Sequence, residues 1–142
     1  MGMLKSKIRI KIIKKARRED IVRLYKAAGW WKPWYSPAFV DRLARSSFCF
    51  AGAFDKGSLV GMARSISDGI SDAYILDTVV LKQYRGRGIG VSLVKALIKY
   101  IKARGIDWVT VIAEPGTEKF YRKAGFRIMK DFTPMIIIKR KK

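Results

Sequence analysis

The sequence predicts a mixed α/β (α+β) domain with element order βααββ-βαβαββ. Three observations carry that expectation. β-rich runs at 7–13, 48–54, 59–67 and 73–81 are separated by turn residues rather than long linkers. Apolar residues recur at a helical period over 16–28 and 88–103. A strand, a glycine-rich entry, a helix and another strand follow one another over 73–113, which requires a crossover and a locally parallel pair in a mixed sheet. No repeat or linker divides the 142 residues, so 1–142 is read as one domain.

Each element has a local reason. KIRIKII at 7–13 alternates charge with apolar residues and reads as the first strand. Ile21, Val22, Leu24, Tyr25 and Ala28 share a helical stripe that Gly29 stops. The loop GWWKPWYSP follows. Ser36 and Pro37 supply an N-cap and a first-turn proline for a second helix reaching about Arg45. Asp55-Lys56-Gly57-Ser58 turns strand 48–54 into strand 59–67, and Asp68-Gly69 precedes the strand at 73–81. The helix from Gly88 ends at Arg104-Gly105, and Trp108 to Ala113 is β-rich. A short helix runs from Pro115 or Thr117 to Lys123, with Gly125 as its stop. Phe126–Met129 and Met135–Lys139 are read as closing strands, and KRKK as a solvated tail.

Composition narrows the chemistry. Hydrophobic residues make up 49% of the chain, enough for a packed core. Lys and Arg number 31 against 11 Asp and Glu, a formal net charge of +20. Such an excess attracts anionic partners: nucleic acid, a phosphorylated cofactor or an acidic surface. The single cysteine, Cys49, excludes an internal disulfide and fits a reducing, cytoplasmic compartment. With one Cys and no His, no ordinary soft-ligand metal set exists, and the commonest general base is missing. Acid–base work falls to carboxylate, Tyr, Lys, backbone or water. No apolar run reaches the roughly 18–20 residues of a membrane span. The N-terminus has no secretory core, and its match to the myristoylation pattern at Gly2 is formal only. The absence of Asn and the lone Gln83 point to a hot-growing source.

The informative stretch is QYRGRGIG, 83–90, between the apolar run YILDTVVL and a helix. Glycines that permit positive φ, placed before the bare N–H groups of a helix start, make an anion cradle. Arg85 and Arg87 add charge. The Walker pattern fails because Val91-Ser92, not Lys-Ser/Thr, follows Gly90. The dinucleotide pattern fails at its third glycine, where Val91 stands. The pattern Q/R-x-x-G-x-G/A matches at Gln83-Tyr84-Arg85-Gly86-Arg87-Gly88.

That pattern resembles the signature of the Gcn5-related N-acetyltransferase (GNAT) family. Residues 113–128, AEPGTEKFYRKAGFRI, resemble the family's second motif through Phe120-Tyr121 and Gly125-Phe126. The resemblance spans about residues 72–130, and the earlier elements match in order alone. It implies a GNAT-like, mostly antiparallel sheet with a splayed parallel pair. It also implies acetyl-CoA as co-substrate, no metal, and direct acetyl transfer to a small amine or a protein amine. Backbone groups of Val79, Val80 and Leu81 would pair with the pantetheine arm, and one N–H would stabilise the acyl oxygen. Backbone N–H groups of Arg85, Gly86, Arg87, Gly88, Ile89 and Gly90 would hold the pyrophosphate. Tyr121 matches the family tyrosine that protonates the leaving thiolate. Asp77 is the first candidate base and Glu114 the second; Tyr74 and Leu76 occupy the positions where some relatives carry a glutamate. Trp30, Trp31, Trp34 and Tyr35 fall where the family walls its acceptor site, and an aromatic box suits an amine or an aromatic group. A homodimer is the family habit.

Two other readings stand beside this one. A basic nucleic-acid-binding module fits the charge at both ends, although no standard nucleic-acid motif is present, so nucleic acid is not the predicted partner. A CoA-binding protein without catalysis fits the cradle but leaves Tyr121 without a role.

Overall fold

The computed structural model describes residues 7–138. The formal pattern at Gly2, the last residue of the expected 135–139 strand and the basic tail lie outside them.

Five strands form one sheet in sequence order: β1 (Arg9–Ile12), β2 (Cys49–Asp55), β3 (Ser58–Ile66), β4 (Asp72–Val80) and β5 (Trp108–Val111). The first three pairings are antiparallel and β4–β5 is parallel, as the strand–helix–strand unit requires. The β2–β3 hairpin closes with Lys56 at φ 49° and Gly57 at φ 84°, two consecutive positive-φ residues that match the twist of the strands.

Helix α1 (Arg18–Ala27) buries Ile21, Leu24 and Tyr25, the stripe its sequence periodicity marks. Ser36 Oγ accepts the Ala38 N–H at 3.3 Å, but the expected second helix is broken. It becomes a 3-10 turn, Pro37–Val40, and a single turn, α2 (Leu43–Ser46). Asp41, between them, takes the Arg18 Nε–H at 2.7 Å.

Helix α3 (Ile89–Lys102) packs across β1 to β4, and α1 packs on β3 and β4. They lie on opposite faces. A Cβ on Gly61 would stand 3.2 Å from Leu93 of α3. Arg64, three residues on, points to the other face and reaches Asp77, which also bonds Tyr25 of α1. Sheet and helices together enclose a core that includes Phe50, Met62, Ile75, Leu93, Leu97 and Ile101. Helix α4 (Glu118–Lys123) follows β5.

Among the described residues, the closing strands do not form. Residues 126–138 contain no strand, and Met135 and Ile137 are 88% and 93% exposed. Alternation and β-branching suit these residues to a strand, but a strand also needs a neighbour, and none lies beside them. Among the described residues, no helix is long and apolar enough to cross a membrane.

Candidate active site

The cradle is built by the chain's own geometry. Gly86 and Gly88 sit at φ 79° and 76°, with nothing within 4 Å of where a Cβ would lie. They serve the backbone turn rather than packing. Gly90 differs: a Cβ there would stand 2.7 Å from Phe120 Cε2, so it lets α4 cross close to α3. The first backbone bond of α3 runs from Ser92 N–H to Gly88 O at 3.0 Å. The N–H groups of Ile89, Gly90 and Val91 therefore have no helical partner, and among the described residues no side chain caps the helix. They point with the positive end of the helix dipole.

The two arginines part company. Arg85 lines the cleft in front of the cradle, and its Nε–H donates to Val80 O at 2.9 Å. Arg87 instead lies over the Tyr84 ring, 5.3 Å from its centroid, and does not line the cleft. Tyr84 is fixed by donating its hydroxyl to Asp55 Oδ2 at 2.6 Å, and that bond raises its pKa.

Beyond the cradle the sheet splays. β4 and β5 pair as far as Ile75 and Val111 and then separate. β4 carries a bulge here: its register against β3 shifts between Met62 and Arg64, and Asp77 has φ 55°. Asp77 Oδ2 accepts from Arg64 Nε at 2.6 Å and from the Tyr25 hydroxyl at 2.7 Å. Burial, then the Asp77 charge, push the Tyr25 hydroxyl well above the usual phenol range.

The backbone expectation for this strand needs correction. Leu81 N–H bonds Val60 O at 2.9 Å, and Leu81 O accepts the Tyr84 N–H, so neither group is free. Antiparallel pairs alternate, so the groups of Val79 face Met62, its partner on β3. Of the three residues, only Val80 turns its N–H and C=O away from β3, toward the gap.

Two clefts meet at the splay. One, of about 750 Å3, runs from the cradle past Val79, Val80 and Phe120. The other, of about 290 Å3, lies between the diverging strands beside Tyr74 and Asp77. Trp30, Thr78, Glu114, Thr117 and Tyr121 line both. Tyr121 is packed edge-on between Phe120 and Phe126, with centroids 4.8 and 5.7 Å away. Burial raises its pKa, and the Glu114 charge adds to the rise. The Thr78 hydroxyl acts in the opposite sense, yet its geometry falls short of a hydrogen bond, and Thr78 Oγ1 is buried without a partner among the described residues. Trp30 Nε1–H donates to Glu114 Oε1 at 3.2 Å.

The aromatic box is divided. Trp30 lines both clefts and packs edge-on against Tyr25 at 5.4 Å. Trp31, Trp34 and Tyr35 cluster on Phe39, with the Tyr35 and Phe39 rings stacked at 4.5 Å, and line neither cleft; Tyr25, 6.3 Å from the Phe39 ring, links this cluster to Trp30. Thr78 went unnoticed in the sequence. Its trace was there: Asp77-Thr78 puts two adjacent polar residues inside the apolar run YILDTVVL, which a regular alternating strand does not do.

The profile of the Acetyltransferase (GNAT) family matches residues 12–126. The chain belongs to the GNAT family. A GNAT acetyltransferase of Streptococcus pneumoniae TIGR4 superposes with a TM-score of 0.78 at 34% identity, covering 95% of this chain and 100% of that one. The uncharacterized N-acetyltransferase ycf52 of Gracilaria tenuistipitata var. liui is 31% identical over 112 residues, 75% of this chain and 60% of its own length. The histone acetyltransferase TAP1 of Glycine max is 40% identical over 68 residues, 48% of this chain and 29% of its own. This GNAT chain thus spans between 29% and 60% of the length of these two curated relatives. An aminoglycoside acetyltransferase from a soil metagenome shares the fold at TM-score 0.75 and 18% identity.

Proposed function

We propose that this chain transfers an acetyl group from acetyl-CoA to an amine without a covalent enzyme intermediate. The observation that carries the reading is the meeting of the two clefts at Tyr121, Glu114 and Thr78. One cleft leads to an anion cradle and the other opens between the splayed strands. A donor and an acceptor entering from opposite sides meet there, which holds the reacting atoms in place.

The residues present fit acetyl-CoA. The bare N–H groups of Ile89, Gly90 and Val91, the turn at Gly86 and Gly88, and Arg85 suit a pyrophosphate. The unpartnered Thr78 Oγ1 and the Val80 N–H offer polar contacts along the gap. When bound, acetyl-CoA supplies an acyl group activated as a thioester. The Val80 N–H is the backbone donor placed to stabilise negative charge on the acyl oxygen. Tyr121, held neutral by burial, donates its proton to the departing sulfur.

Asp77 is a poor base because Arg64 and Tyr25 occupy its carboxylate. It holds the bulge that opens the gap. Glu114 is the better base: among the described residues its one side-chain hydrogen bond comes from the neutral Trp30 indole. It takes the amine proton directly or through water.

The test is thermal unfolding with acetyl-CoA, followed by amine-dependent release of free CoA thiol. A ligand at 100 times its Kd stabilises the native state by about 2.7 kcal/mol. No rise in Tm at saturating acetyl-CoA sinks the proposal. A rise without thiol release on any amine leaves a CoA-binding protein instead.

A further inference from the structure

Thr78 carries a hydroxyl that packing does not explain. Its Oγ1 is buried where the two clefts meet and has no hydrogen-bond partner among the described residues. An unpaired buried hydroxyl costs stability, and an apolar side chain of the same shape does not. Valine is that side chain, and the next two residues, Val79 and Val80, are valines. The placement of Thr78 supplies a reason for the hydroxyl. Residues two apart on a strand share a face. Val80 lies 3.7 Å from where a Cβ on Gly90 would stand, the spot that Phe120 crowds. Thr78 is therefore on the side of the sheet that carries α4 and Tyr121, while Asp77 turns to the other side and meets Arg64.

We propose that Thr78 is a positioning residue for the proton transfer: its hydroxyl donates a hydrogen bond to Tyr121 Oη as that oxygen gives up its proton. The proposal rests on the acetyl-transfer reading of this site. In that reading the acyl carbon gains a bond to the amine nitrogen and loses its bond to sulfur, and the Tyr121 proton goes to the sulfur. Tyr121 Oη is left with a negative charge, on a ring packed between Phe120 and Phe126. A charge in such a setting needs a hydrogen-bond donor. Thr78 is the side chain placed to supply one. Burial raises the Tyr121 pKa, and Glu114 and Tyr74 add to the rise, while the Thr78 hydroxyl opposes it. A neighbour that lowers a phenol's pKa favours its ionised form. The amine proton, taken up by Glu114, then returns to Tyr121 and resets both groups. A threonine hydroxyl has one proton to give and two lone pairs, so donation to Tyr121 leaves its acceptor side open to the co-substrate.

The experiment compares Thr78→Val and Thr78→Ser with the parent protein. Tm is measured first. Tyr121 ionisation in the ligand-free protein comes next, from the difference in tyrosinate absorbance between each protein and the same protein carrying Tyr121→Phe. Then kcat and KM for acetyl-CoA are read from release of CoA thiol, with propylamine, spermidine or a lysine peptide as acceptor. Thr78→Val should keep or raise Tm, because a methyl replaces an unpaired hydroxyl. Its Tyr121 should ionise at higher pH than in the parent. Its kcat should fall by about 10-fold, the contribution of one hydrogen bond to a charged oxygen, with KM for acetyl-CoA unchanged. Thr78→Ser keeps the hydroxyl and should restore both the ionisation and kcat. A kcat near the parent value in Thr78→Val overturns the proposal. So does a loss of kcat that comes with a lower Tm and an unmoved Tyr121 ionisation, which would make Thr78 a packing residue. Thr78→Ser as slow as Thr78→Val overturns it as well, because the hydroxyl is then not what matters. A parent protein that releases thiol with none of the three amines sinks the acetyl-transfer reading rather than the contact. The ionisation comparison then decides the contact by itself, and equal values in parent and Thr78→Val overturn it.

Discussion

Tyr121 carries the most chemistry for one side chain. It sits where both clefts meet, between Phe120 and Phe126, and burial raises its pKa above the ordinary phenol value. The sign matters. A raised pKa keeps the hydroxyl protonated to higher pH, so the proton needed by a leaving thiolate is still present at about pH 10, where a free tyrosine is half ionised. Tyr121→Phe keeps the ring and removes that proton. We expect kcat to fall by about 100-fold or more while the Kd for acetyl-CoA changes little. In the parent protein, the alkaline limb of kcat should lie above pH 10. A limb that stays in place in Tyr121→Phe, with kcat near the parent value, would remove Tyr121 from the reaction.

Elements show why parts of the site could be read in advance. The cradle was legible because positive φ at Gly86 and Gly88 is a local demand that only glycine meets cheaply, and so it is written in residue type. The bulge of β4 was half legible. Asp77 stood out as a carboxylate, but its engagement by Arg64 and Tyr25 depends on a neighbouring strand and a helix 52 residues away in sequence. Asp77→Ala leaves Arg64, whose side chain is 15% exposed, without its partner. The loss of stability should be about 2 kcal/mol, below the cost of breaking a fully buried pair. Asp77→Asn tolerates positive φ and should lose less; chemical denaturation of both variants checks the order. The glycines separate in the same way. Gly88→Ala meets no atom and should cost about 1–2 kcal/mol of backbone strain. Gly90→Ala must push Phe120, and Tyr121 beside it, out of position. Its mark should be a lower kcat and a higher KM for acetyl-CoA, beyond what its stability loss explains. The closing strands are absent among residues 126–138, and Trp31, Trp34 and Tyr35 lie away from the clefts, for one reason. Ile136 and Trp34 have the right character for a strand and a box, but neighbours decide whether either forms, and local sequence does not name the neighbours.

At the scale of the molecule, the excess of charge is the property the fold has to bear. The chain carries +20, and the described residues hold five ion pairs, all with at least one partly exposed partner. Exposed pairs contribute about 0–1 kcal/mol each. Repulsion among the unpaired cations acts over the whole surface and opposes the compact state. Salt screens both, with a Debye length of about 10 Å at 0.1 M, but long-range repulsion is lost first because close pairs lie well inside that length. Raising NaCl from 0.02 to 0.5 M should therefore raise the Tm of the ligand-free chain. The same cations attract an anionic co-substrate to the cradle, so the same salt should raise the KM for acetyl-CoA. A salt series that raises Tm and KM together assigns the charge to substrate capture at a cost in stability. A Tm that falls would mean that the ion pairs around Asp20, Asp41 and Asp77 outweigh the repulsion. A KM that stays flat would mean that the charge serves some other anion.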